Sequence, residues 1–433
     1  MSPGVAAWDA LLGAASLVFT QPSFVLFHQL ASAWVLCPGR RTVTRLVRVA
    51  DPEGRHAHDA FHRFLRAGAW NLTTLWRVLA RTLVSALLDK DAELIIDLDD
   101  TLFHKSGRRV EGAGSFRDAV RSTGRRVVYA WGLNLIVVTL RIRLPYKDEP
   151  LGLPIHMRLY RKGGPSHLDL AEEMIRNLAT WLPDRRFELA CDGAYASLAG
   201  RELPRTQVTS RMRRDAALYE LPPPRRKGQR GRPRKKGRRL PTPEELARRT
   251  KVGWRRATVE LRGKRVDRLL LFRPVLWYNV RADRQLLLVV VRDPEGTQPD
   301  DFFFHTNLEA APEHVAEHYA GRWSIEDTFR NTKQLLGGEH PQSWSHQGPE
   351  RAAALSFWIY SAVWHWYITV HGDRPSWPAL PWYPAKRSPS FADALAELRR
   401  DLWRQFVFRG SGTPSVRPKT LNALIEALAY AAA

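Results

Sequence analysis

The chain has 433 residues, with Lys+Arg 67 against Asp+Glu 44, and its net charge of +23 points to a polyanionic partner, nucleic acid ahead of a basic membrane surface. Of the basic residues 55 are Arg and 12 are Lys, a bias that suits bidentate phosphate contacts and also follows from GC-rich coding. The length allows a large core in two to four structural units, and two cysteines, Cys37 and Cys191, are too few and too distant for a disulfide framework or a zinc knuckle, which implies a reducing compartment.

Residues 10–39 carry no Asp, Glu, Lys or Arg, but Gln21, Pro22, His28 and Gln29 interrupt them and no basic region precedes LLGAASLVF. Two buried helices are therefore expected there, with no signal peptide or membrane span. Up to about residue 90 the pattern stays helical, and Arg40, Arg41, Arg45 and Arg48 form a basic edge that is either a solvated helix face or a DNA-end-binding surface. From residue 93 the period changes to that of strands, in ELIIDLD, RRVVYAW, LNLIVVTLRIRL and PIHMRLY, followed by a helix near 168–182 and the strand RFELACD. A helical AYASLAG and a strand TQVTS come next. Residues 211–305 read as a mostly β insertion holding WRRATVEL, DRLLLFRPVLWYNV, RQLLLVVV and DFFFHT. Trp277 in that insertion is a candidate for stacking on a displaced base, with a core role the alternative. The helix AALSFWIYSAVWHWYITV contributes Trp358, Trp364 and Trp366 to the core, and a Pro/Trp-rich connector leads to two C-terminal helices.

Three acidic positions carry the chemistry. ELIIDLDDTLF ends a strand with Asp97, Asp99 and Asp100, and the string has two readings. In the manner of haloacid dehalogenase-like phosphatases, Asp97 would be the nucleophile and Asp99 the general acid/base, both on one strand face. In the other reading Asp99 is a metal ligand, followed by Asp100 and Thr101. Asp192 closes the strand FELAC, 93 residues after Asp99, and Glu326 follows 134 residues later. Glu326 lies in YAGRWSIEDTFRNTK, where Tyr319, Arg322, Glu326 and Lys333 have offsets of 0, 3, 7 and 14. On one continuous helix these fall at roughly 0°, 300°, 340° and 320°, a single narrow face. A carboxylate ringed by two cations and a phenol suits a metal beside a phosphodiester, while a solvated face with i,i+4 pairs is the plain alternative.

This spacing resembles the Tyr-Arg-Glu-Lys signature of DDE transposases of the cut-and-paste insertion-sequence type. With DDTLFHKSG, VEGAGSF, GAYAS and SRMRRDAALYELPPP the resemblance covers about residues 93–340. It implies an α/β fold with a ribonuclease H-like core: a helical DNA-binding region over 1–90, the first part of the core over 91–210, a β-rich insertion over 211–305, the Glu-bearing helix and the next helix over 306–370, and a helical C-terminal region over 371–433. It further implies that Asp99, Asp192 and Glu326 converge as catalytic metal ligands for Mg²⁺, with Mn²⁺ able to substitute. Tyr319, Arg322 and Lys333 would bind DNA beside them. The implied partner is double-stranded DNA, as element ends and target, bound by a homodimer with no membrane association, at the nucleoid in a bacterial cytoplasm. A transposase-derived DNA-binding protein that no longer cuts is the non-enzyme alternative.

Residues 225–239, RRKGQRGRPRKKGRR, hold ten basic residues and no acid, and their glycines and proline break helices. The segment reads as a loop that follows phosphates. Arg230 and Arg232, around Gly231 and before Pro233, also resemble the core of an AT-hook in a narrow minor groove.

Overall fold

The computed structural model describes residues 2–57, 59–224, 231–249, 251, 253–379, 381–410 and 418–430. Five helices open the chain: α1 Pro3–Gly13, α2 Gln21–Leu36, α3 Val43–Ala50, α4 Ala60–Ala67 and α5 Leu72–Leu87. Side chains cap three of them, with Val5 N donating to Ser2 Oγ (3.2 Å), Arg45 N to Thr42 Oγ1 (3.4 Å) and Thr74 N to Asn71 Oδ1 (2.9 Å). Four strands follow, β1 Leu94–His104, β2 Gly114–Arg117, β3 Tyr129–Ile142 and β4 Leu151–Tyr160. Then come α6 His167–Trp181, β5 Phe187–Cys191, a 3₁₀ turn Gly193–Gly200 and β6 Thr206–Arg211. RRVVYAW and LNLIVVTLRIRL, read as two strands, make the single strand β3, in which Gly132 pairs with His104 on one side and Gly114 on the other.

The next stretch supplies α7 Pro243–Arg249, β7 Arg255–Leu261, β8 Lys264–Val275, β9 Leu286–Arg292 and β10 Asp301–His305. The chain then returns to helix in α8 Pro312–Gly321, α9 Ser324–Gln334, α10 Gly348–His371, α11 Phe391–Gly410 and α12 Pro418–Ala429. None of the helices among the described residues is long and apolar enough to cross a membrane.

The strands form one ten-stranded sheet in the order β2-β3-β1-β5-β6-β10-β9-β8-β7, with β4 pairing β3 on the same edge as β2. β1 is antiparallel to β3 and parallel to β5, and β5 is parallel to β6. An antiparallel meander of β1, β3 and β4 that continues through a helix into parallel strands is the ribonuclease H-like arrangement, and the fold is α/β with helical ends. The strands of 211–305 extend the same sheet, because β10 pairs antiparallel with β6.

The core lies where α10 crosses β4. Trp358, Trp364 and Trp366 on α10 are buried there, and Ser361 Oγ donates to the Pro154 carbonyl on β4 (2.8 Å). The N-terminal helices pack on the other side of α10, with the Phe27 and Trp358 rings edge to face at 5.4 Å and Trp366 Nε1 donating to Gly4 O (2.7 Å). The expected basic edge near residue 40 is only partly at the surface. Arg40, Arg45 and Arg48 are exposed, but Arg41 is fully buried and its Nε donates to Trp34 O at 2.9 Å. Trp277 is also core, edge to face with Phe304 at 5.7 Å, and does not present a stacking surface.

A buried ion pair fastens β1 to β3. Asp97, fully buried, accepts from Arg141 Nε (3.0 Å) and from a terminal nitrogen of the same guanidinium, and Ser324 Oγ donates to it at 3.2 Å. Removing one partner leaves an uncompensated charge inside the protein. Asp97→Asn should therefore lower unfolding stability by about 3–5 kcal/mol in urea titrations with an unchanged slope, and a change within about 0.5 kcal/mol would show that the pair is dispensable.

Candidate active site

Strand register places the first two acids. Leu98 pairs with Cys191 in the parallel β1–β5 ladder, so Asp99 and Asp192, the next residue on each chain segment, lie side by side where β5 ends; β1, expected to end at its acids, instead continues past Asp99 to His104, paired with β3. Adjacent strands run about 4.8 Å apart. The turn that carries Asp192 is pinned from the opposite face: Tyr195 OH donates to Asp100 Oδ1 (3.0 Å), and Asn134 Nδ2 donates to Asp100 Oδ2 (3.1 Å). Alternation along β1 thus gives Asp97 and Asp99 to one face and Asp100 to the other. Burial, with the acids at 99 and 100 beside it, drives the Tyr195 hydroxyl far above the usual range, so it stays a donor.

The third acid arrives on α9, which docks where a side chain is missing. A Cβ at Gly152 on β4 would come within 3.1 Å of the Ser324 backbone, and Thr328 Oγ1 donates to the Gly152 carbonyl (2.6 Å). A Cβ at Gly321 would lie 2.5 Å from the Arg141 guanidinium, so the end of α8 also depends on a glycine.

The single helix expected across Tyr319 to Lys333 is instead two. α8 ends at Gly321, α9 begins at Ser324, and the junction is a tight turn with i→i+3 bonds, Arg322 N to Tyr319 O (3.2 Å) and Glu326 N to Trp323 O (3.0 Å). The angular argument for one shared face does not hold through that turn, yet three of the four residues still meet. The Arg322 guanidinium lies 5.4 Å from the Tyr319 ring centroid and 3.6 Å from Glu326 Oε1, and it pairs closely with Asp99 Oδ2. Tyr319 stacks on Phe303 at 4.4 Å. Lys333 stands apart, 5.8 Å from the Phe103 ring centroid further along β1, where burial lowers its pKa against the pull of Glu339.

The electrostatics join the three acids. Burial pushes the Asp99 carboxyl up to about 7, opposed by Arg322 and reinforced by Asp100 and Asp192. Glu326 is raised by burial as well, with Arg322 and Arg262 opposing and Asp192 adding to the rise. Burial would lower Arg322, but Asp99, Tyr319, Asp192 and Glu326 together raise it, so this guanidinium is the common counter-charge. The Asp192 carboxylate makes no hydrogen bond or ion pair among the described residues. The three acids do not close to a metal-bridging span: among the described residues the group within 4.8 Å of one another is Glu188, His305 and His314, elsewhere on the sheet. Arg322 sits between Asp99 and Glu326. An all-oxygen set with one unpartnered carboxylate and two raised chiefly by burial nonetheless fits a divalent cation.

Two contributors were not legible as site residues. Arg262, at the tip of the β7–β8 hairpin with φ 53°, lies 4.1 Å from the Trp323 ring centroid and acts on Glu326. Tyr195 pins Asp192 through Asp100, and its only sequence signal is its place three residues after that acid. A groove of about 680 Å³, lined by Arg211, Arg262, Lys264, Arg268, Arg322 and Trp323 with Tyr319, runs from the site between the hairpin and α8. Of the two hook candidates, Arg232 is exposed and Arg230 lies outside the described residues.

A family profile described as DDE superfamily endonuclease matches residues 25–267, more than half of the chain. The chain belongs to the DDE superfamily endonucleases. The match spans Asp99 and Asp192 and ends ahead of Glu326. Membership makes the protein a metal-dependent nuclease of the transposase type that acts on DNA, and endonucleases of this superfamily use divalent metals. A search of curated proteins finds no match to the chain.

Because one guanidinium pairs with Asp99 and Glu326 and feels the charge of Asp192, Arg322→Ala should expose the repulsion of the three acids. The variant should lose about 3 kcal/mol of stability in chelator and recover much of it when Mg²⁺ is added, read as melting temperatures with and without the ion. Equal losses in both conditions would mean that the acids are not close enough to share a cation.

Proposed function

We propose that this endonuclease is a transposase that cuts the ends of a mobile element and joins them to target DNA, with Asp99, Asp192 and Glu326 as catalytic metal ligands. The observation that carries the reading is that Asp99 from the middle of β1 and Glu326 from α9 meet at Arg322, with Asp192, just after β5, beside Asp99. These carboxylates would hold Mg²⁺, or Mn²⁺ in its place. When bound, the metal supplies Lewis-acid activation of the attacking water and charge relief at the departing 3′ oxygen.

The chain's own groups do the rest. Arg322, already the counter-charge of the acids, offers a planar donor set to a phosphate entering beside them, and Tyr319 holds it from the groove side. Lys333, whose pKa burial lowers, adds a point charge further along β1. The basic groove and Arg232 take the duplex away from the cut, and a homodimer on two element ends would let each site act on one end.

The phosphatase reading of DLDDT loses its nucleophile. Asp97 is fully buried and held by Arg141 and Ser324, so no substrate phosphorus can approach it. The idle-protein reading is opposed by the unpartnered Asp192 beside Asp99. Asp99→Asn and Asp192→Asn should each abolish nicking of DNA carrying the element ends, by at least about 10³-fold, while gel-shift affinity for the same DNA changes less than about threefold. Full cleavage by either variant would remove the assigned roles, and absence of cleavage by the wild type on its own flanking repeats would favour the idle protein.

The basic segment is anchored at its far end. Lys236 lies 4.3 Å from the Tyr219 ring centroid, Arg238 pairs with Glu220 at 2.7 Å, and Leu240 N donates to Leu218 O at 2.9 Å. A deletion that leaves these contacts intact must therefore stop at residue 235. Removing 225–235 should leave the melting temperature unchanged, lower DNA affinity and flatten its salt dependence by up to about one phosphate contact per lost cation. An unchanged salt slope would take the segment out of the DNA interface.

A further inference from the structure

A second cluster of metal-binding side chains lies on the same face of the sheet, one strand length from the acids. Glu188 is on β5, four residues before Asp192, which at about 3.3 Å per residue sets it about 13 Å from that end. His305 ends β10 and His314 lies in the first turn of α8. One ligand atom from each of the three falls within 4.8 Å of the others. We propose that Glu188, His305 and His314 bind a transition-metal ion of the zinc type, separate from the three-carboxylate centre.

The donor set argues for the ion. Two imidazoles and one carboxylate form a three-ligand set that zinc accepts with a fourth position open, whereas Mg²⁺ favours oxygen donors such as those at the other centre. His305 Nε2 is 3.1 Å from Glu188 Oε2, close to the edge of a tetrahedron with ligands about 2.0–2.2 Å from its centre. The outer contacts are also in place. Asn307 N donates to His305 Nδ1 at 2.8 Å, and the Asn307 carbonyl lies 3.2 Å from the same nitrogen, so freeing Nε2 for a metal exchanges the bond from the Asn307 N–H for one that a protonated Nδ1 donates to the carbonyl.

His314 is exposed but does not stand alone on its helix. Its ring stacks on His318, one turn later, at 5.5 Å, and His318 Nδ1 reaches to 3.9 Å from Glu188 Oε2 and 2.9 Å from Thr209 Oγ1. An i,i+4 histidine pair facing an acid is more than one buried glutamate needs for satisfaction. A groove of about 970 Å³, lined by Glu93, Glu188, Thr306 and Asn307, reaches the cluster at Glu188, and the exposed His314 gives the ion access from the other side. The consequence is mechanical. Such an ion would tie the start of α8 to β5 and β10, and the far end of the same helix, about 12 Å away, leads into Arg322.

The test uses the full-length chain with Zn²⁺ and Co²⁺ as probes, in the wild type, Asp99→Asn, His314→Ala and Glu188→Gln. His314 is exposed, so its replacement should leave the fold intact, which circular dichroism checks. One equivalent of Zn²⁺ should bind the wild type and Asp99→Asn alike, raise the melting temperature of both, and be weakened at least about tenfold in His314→Ala and Glu188→Gln. Co²⁺ should give visible absorption of four-coordinate intensity that disappears in those two variants. Unchanged Zn²⁺ affinity in folded His314→Ala, loss of binding in Asp99→Asn alone, or no tight equivalent in the wild type would each overturn the proposal.

Discussion

One guanidinium holds the candidate site of this protein together. Three acidic side chains from distant parts of the chain come together here, and burial raises two of them, Asp99 and Glu326, toward binding protons. Arg322 counters that by sitting among them, and its own charge is reinforced by all three. Beneath it a second arginine plays the same part for a different acid: Arg141 neutralises Asp97 in the interior of the sheet. The two pairs are stacked along one face of β1, the deeper one binding the strands together and the outer one meeting the groove.

The remainder of the scaffold serves the placement of that outer pair. Parallel pairing of β1 with β5 brings two acids side by side, and the Tyr195–Asp100 bond holds the turn of the second acid from behind. The Glu-bearing helix reaches the same point because β4 presents a bare backbone at Gly152 and α8 ends in another glycine beside Arg141. Each of these devices lies outside the acids themselves. That is why a site assembled from three segments can keep its form across a large sheet.

Much of the core was legible from residue patterns. Alternating and continuous apolar runs marked β1, β4, β5 and β9, and Asp99 and Asp192 stood out because each follows an apolar stretch, although β1 runs on past Asp99 to His104. The DLDDT string stayed ambiguous, since period-two alternation puts Asp97 and Asp99 on one face without saying which of them is covered; the depth of Arg141 decides that. The break between α8 and α9 was hidden because Arg322 and Trp323 keep right-handed helical dihedrals, so the turn differs from a helix only in its tighter hydrogen bonds. Arg41 misled for another reason. Its basic neighbours are at the surface, but its own stem follows Trp34 inward and its nitrogen meets a carbonyl at the end of α2.

The antiparallel joint between β6 and β10 has a bearing on how such enzymes can be recombined. Phe303 opposes Arg211 and His305 opposes Thr209 across that joint, so the additional strands share a pleat with the strands that carry the acids. A slip of one residue would turn Phe303 away from Tyr319 and His305 away from Glu188 together, because every side chain changes face at once. A chimera that exchanges residues 211–305 with those of a relative must therefore match strand phase at β6 as well as loop ends, and length-matched grafts out of phase would fail in pairs of contacts. The added strands are joined to the core less like a cassette than like further teeth on one gear.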